Sequence, residues 1–96
     1  MNSAEILQIN NSNTILIGDQ NRNLSINLVC SNVDLEDEND AIDLLRKEFP
    51  RGTKVKIKPF GFKDNNLLAK IYKVDENIEM NQLLSSNNLS DEICDK

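Results

Sequence analysis

Hydrophobic and polar residues alternate along several stretches of this chain with the period of two that marks a strand buried on one face. The clearest stretch is Lys54, Val55, Lys56, Ile57, Lys58, where two apolar residues interleave with three lysines. A break at Pro59, Phe60 and Gly61 follows. A second run, ending in Ala69, Ile71 and Tyr72, then reads as the antiparallel partner of the first. Upstream, Ile6, Leu7 and Ile9 precede a polar bend over residues 10–13, and Ile15, Leu16 and Ile17 resume beyond it. This is either two strands around a bend or one long strand carrying a bulge. Leu24, Ile26 and Leu28 share one face of a further strand. Helical spacing occurs twice. Ile42, Leu45 and Phe49, with Leu44 beside them, predict a helix over residues 41–49, capped by Asn39 or Asp40 and stopped by Pro50. Met80, Leu83, Leu84 and Asn87 predict a second, short helix.

Three strands, a helix, two strands and a helix, with no crossover pattern for a parallel sheet, predict an α+β fold that is mainly β. The expected architecture is a five-stranded Greek-key barrel of the OB type, with one helix between strands 3 and 4 and a C-terminal helix. Its expected extent is residues 5–90, flanked by flexible residues 1–4 and a polar, fraying tail over residues 91–96.

Composition narrows the function. The formal charge of −5 argues against a nucleic-acid binder whose whole surface is basic, and 39% hydrophobic residues suffice for one compact core. No apolar run approaches a membrane span and the N-terminus lacks signal-peptide regions, so an intracellular protein without a membrane partner is expected. Cys30 and Cys94 are far apart, which reads as free thiols in a reducing, cytoplasmic setting. With no His and no closely spaced Cys pair, a zinc site is not expected. Asp34, Glu36, Asp37, Glu38 and Asp40 form an acidic run, but it lacks the central Gly of a calcium loop. It reads instead as a solvated loop entering a helix whose N-terminal end favours negative charge. No metal or other cofactor is expected.

Two segments resemble the staphylococcal nuclease-like family. Leu67, Leu68, Ala69, Lys70, Ile71, Tyr72, then Met80, Asn81, Gln82, Leu83, Leu84 and Asn88, Leu89, Ser90, are similar to the family stretch Gly-Leu-Ala-x-Ile-Tyr … Val-Asn-x-x-Leu-Val … Gly-Leu-Ala. Residues 6–28 track the family's opening strands, with Asn11, Ser12, Asn13 and Thr14 in place of an Asp-Gly-Asp-Thr turn. The resemblance implies a calcium-dependent nuclease ancestry, because the family's catalysis needs metal-binding carboxylates, a carboxylate base and two arginines. This chain departs at each position. The turn Asp falls on Asn13, the strand arginine on Asn27, the Asp and Glu of an Asp-x-Pro-Glu motif on Asn32 and Leu35, and the second arginine on Asn66. Asparagine carries no charge and cannot act as a base. The resemblance therefore implies a catalytically inactive nuclease-like domain, of the kind found in Tudor-staphylococcal-nuclease and extended Tudor proteins of RNA silencing, the piRNA pathway and RNA granules; an active calcium-dependent nuclease is the least favoured reading.

Two binding surfaces remain. The acidic run Asp34, Glu36, Asp37 and Glu38, set against the basic Arg46, Lys47 and Arg51, makes a two-signed surface suited to a protein partner or to self-association. This scaffold role is the leading expectation. The alternative is weak single-stranded RNA binding through Lys54, Lys56 and Lys58, which must share one strand face, with Lys63, Phe60 and Tyr72 nearby. Phe62 is a further stacking candidate, although Phe60 and Phe62 could equally fill a core short of aromatics.

Overall fold

A computed structural model describes residues 4–76 and 78–92. Five strands form a closed barrel in the order β1 (Ala4–Ile9), β2 (Thr14–Asp19), β3 (Arg22–Leu28), β6 (Asn66–Lys73) and β5 (Lys54–Lys63). β1–β2, β2–β3, β5–β6 and β1–β5 are antiparallel, and β3 closes on β6 in parallel. The barrel is OB-like, as its strand pattern predicts. Helix α1 (Glu38–Glu48) lies between β3 and β5 in the chain, and α2 (Met80–Ser86) follows β6.

The barrel interior is the alternating apolar set. Ile6, Ile9, Ile15, Ile17, Ile26, Leu28, Val55, Ile57, Leu67, Ala69 and Ile71 are all buried. α1 adds Ala41, Leu45 and Phe49 to the same cluster, and α2 adds Met80 and Leu84. Both helix faces turn slightly from their expected positions. Ala41 rather than Ile42 is the buried residue of the first turn of α1, and Asn81 takes the place expected of Leu83 and Asn87 in α2. α1 also starts earlier than expected. Leu35–Asp37 forms a 3-10 turn, Asp37 occupies the cap position, and no side chain there caps the helix.

The polar bend at residues 10–13 joins two separate strands, and the bulge lies within β1 between Ile6 and Gln8. The expected break at Pro59, Phe60 and Gly61 is also a bulge, so β5 runs on to Lys63. Gly61 has φ +138°, a backbone conformation that side chains oppose, which is why glycine suits this bulge. Asp64 and Asn65 then turn the hairpin with φ of 52° and 70°, the paired positive values of a mirror-image turn.

A second small sheet pairs β4 (Ser31–Asn32) with β7 (Asp91–Glu92), so strand pairing reaches into the tail expected to fray. At the other end Ala4 is buried within β1. The remaining terminal residues, 1–3 and 93–96, lie outside the described residues. No helix among the described residues is long and apolar enough to cross a membrane. The expectation of free thiols is corrected for Cys30, which is disulfide-bonded; Cys94 lies outside the described residues. The cysteines therefore give no argument for a reducing compartment.

Asn81 explains why an amide can occupy a core position. Its side-chain N–H donates to the Val29 carbonyl just beyond β3, tying α2 to the barrel. Its Oδ1 has no partner among the described residues. Asn81→Ala should therefore cost roughly 1–2 kcal/mol, read by urea denaturation, since the lost bond is partly offset by removal of an unsatisfied oxygen. Thiol titration of the unreduced, denatured chain should find no reactive cysteine, with thiols appearing only after reduction; free thiols before reduction would refute the bond.

Candidate nucleic-acid interface

Alternation along β5 sends Val55 and Ile57 inward and leaves Lys54, Lys56 and Lys58 exposed. β6 faces them in register, with Tyr72 opposite Lys56 and Lys70 opposite Lys58. Tyr72 is half-buried on the outer face, not inside with Ala69 and Ile71. Lys56, Ile57, Lys58 and Tyr72 line a shallow depression of about 240 Å³.

The β5 bulge brings Phe60 beside these residues. Its ring centroid lies 5.8 Å from Lys58 Nζ, within cation–π range. Phe60 and Phe62 are 51% and 75% exposed, so neither fills the core. Lys63 ends the strand, exposed, opposite Asn66. The hairpin thus presents cations and aromatic rings together.

Lys54 differs from its neighbours. Its Nζ lies 2.8 Å from Glu5 Oε1 across the β1–β5 seam, and this contact, with a smaller contribution from Arg51, holds the Glu5 carboxyl below the usual carboxylate range. Sequence reading missed Glu5 because the seam is a long-range pairing. It also missed Lys70, which the alternation of Ala69 and Ile71 would have placed on the outer face.

Several residues assigned to a protein-binding surface have structural work. Glu38 accepts from the Ser12 backbone N–H at 2.8 Å and from Ser12 Oγ at 2.5 Å, clasping the β1–β2 bend to the start of α1. Arg46 donates to the Ile9 carbonyl at 3.1 Å and Arg51 to the Leu7 carbonyl at 3.2 Å. Lys47 is exposed on α1. Asp34 and Glu36 are exposed, Asp37 is half-buried, and Leu35 between them is 91% exposed.

Three of the positions matched to nuclease catalytic residues come together. Asn27 Oδ1 accepts from Thr14 Oγ1 at 3.3 Å and lies 3.5 Å from Asn66 Nδ2, at the limit of a hydrogen bond. Asn13 Nδ2 donates to the Leu28 carbonyl at 3.0 Å, one residue further along β3. The cluster is neutral. Asn32 is not bonded to it; its backbone N–H donates to Ser90 Oγ. Leu35 projects into solvent. In sequence comparison, no family model and no curated protein matches this chain.

Glu38→Ala should destabilise the fold by about 2 kcal/mol in chemical denaturation, because buried Ser12 would lose two bonds to a charged acceptor. Unchanged stability would return Glu38 to the set of residues available to a partner.

Proposed function

We propose that this chain is a non-catalytic, OB-like binding module that holds single-stranded RNA across the outer face of β5 and β6. The observation that carries the reading is the shared face of Lys54, Lys56 and Lys58, with Tyr72 in register and Phe60 bulged out beside Lys58. Single-strand binders combine such cations, which follow the phosphates, with aromatic rings on which bases stack. Catalysis is set aside because Asn13, Asn27 and Asn66 are hydrogen-bonded amides that supply neither a base nor a positive charge. The resemblance to nuclease-like domains supports the same reading and suggests its setting, an RNA-silencing or RNA-granule protein.

A second reading, a protein-interaction scaffold, is favoured by one observation. Leu35 is almost fully exposed among Asp34, Glu36 and Asp37, which suits a basic partner with a small apolar pocket. The RNA reading ranks first because Glu38, the acidic residue at the centre of that surface, is engaged with Ser12 within the fold.

Titration of a fluorescent single-stranded RNA should show binding that weakens steeply between low and moderate salt. The double variant Lys56→Glu, Lys58→Glu should lose it while melting at the same temperature. Absence of binding at low salt would overturn the RNA reading and leave the scaffold.

A further inference from the structure

We infer that Arg51 and Arg46 continue the β5 lysines into a single phosphate-binding rail, and that Glu5 sits near its middle as a built-in brake. The inference rests on the RNA reading above and concerns how far the bound strand runs and what limits its affinity.

The rail follows from strand register. Glu5 of β1 pairs with Lys54 of β5, and the two strands run antiparallel. From that pair, β5 carries Lys56 and Lys58 in one direction at two-residue steps. β1 runs the other way, and cations again sit at two-residue steps along it: Lys54 at Glu5, Arg51 at the Leu7 carbonyl, Arg46 at the Ile9 carbonyl. Two residues of strand span about 6.8 Å, and the bulge between Ile6 and Gln8 takes up one residue, so the order Lys58, Lys56, Lys54, Arg51, Arg46 covers roughly 24 Å. Sequence reading had divided these five residues between two surfaces.

At the far end of the rail the two arginines border a groove. Ile6, Leu7, Gln8, Ile9, Phe49 and Pro50 line a groove of about 290 Å³ beside the two arginines, with no carboxylate in the lining. Each guanidinium is fixed by one bond to a strand carbonyl, and a guanidinium has five N–H donors, so donors remain for phosphate oxygens. Glu5 opposes this. It holds Lys54 at 2.8 Å and lies within the field of Arg51, at the point where the two halves of the rail meet. A phosphate passing there must compete with a resident carboxylate.

The test measures the affinity of single-stranded oligouridylate, and the slope of log K against log salt, for the intact chain and four variants. Each phosphate contact on a single strand contributes about 0.7 to that slope. Arg46→Gln with Arg51→Gln should bind more weakly with a slope shallower by about 1.4. Arg46→Lys with Arg51→Lys, which keeps both charges, should stay near the parent slope. Glu5→Gln should bind more tightly with a slope steeper by about 0.7. If the two arginine pairs lose affinity equally, in step with a lowered melting temperature, the arginines are structural only and the rail is refuted. If both pairs and Glu5→Gln match the parent while Lys56→Glu, Lys58→Glu abolishes binding, the rail falls and the β5–β6 face stands. If the parent does not bind, both fall.

Discussion

Closure of the barrel rests on a short seam. A sheet edge presents unpaired N–H and C=O groups that must be paired, covered or protected. β3 and β6 close one side through three residue pairs, and among the described residues β1 and β5 pair at Ala4–Val55 and Glu5–Lys54. Ile6 extends the contact by exchanging bonds with Thr53 and Gly52. After the bulge that follows Ile6, β1 has no partner strand on that side among the described residues. Arg51 and Arg46 bond to its Leu7 and Ile9 carbonyls there. Protecting this edge and placing positive charge along it are one and the same act. The strand register that closes the barrel also lines those charges up with the lysines of β5.

Strand alternation was legible because a half-buried strand repeats every two residues whatever it pairs with. Val55 and Ile57, Ile15 and Ile17, and Ile26 and Leu28 are buried as their spacing predicts. What failed was local detail set by tertiary contacts. Pro59, Phe60 and Gly61 read as a break because proline and glycine oppose regular strands, yet a bulge accommodates both and carries β5 onward. Asn87 belonged to a helical pattern, but the core took Asn81 because its amide reaches the Val29 carbonyl. Of the site, the shared lysine face was legible. Glu5 and the duties of Arg46, Arg51 and Glu38 were not, since each depends on a residue distant in sequence.

The asparagine cluster bears on the same division between chemistry and binding. Thr14, Asn27 and Asn66 come from three different strands, and Asn13 lies in the bend beside them. A site that assembles side chains from separate strands is rigid enough for catalysis, but geometry alone moves no proton. Amides at these points bond to one another and to the Leu28 carbonyl, which stabilises the end of the barrel without developing charge. The asparagine cluster therefore supplies no general base and no cation of its own.

The net charge of −5 does not oppose an RNA ligand once charge is located. Acidic residues open α1, with Glu38 and Asp40 in its first turn, while Arg46 and Lys47 lie in its last. Six to nine residues of helix separate the acidic from the basic groups, about 9–14 Å of rise, or one to two Debye lengths at physiological ionic strength. At that distance salt weakens the repulsion between the acidic turn and a strand proposed to lie along the cations. On the proposed RNA reading, Glu5, 2.8 Å from Lys54 Nζ, is the carboxylate that a phosphate at that lysine must displace.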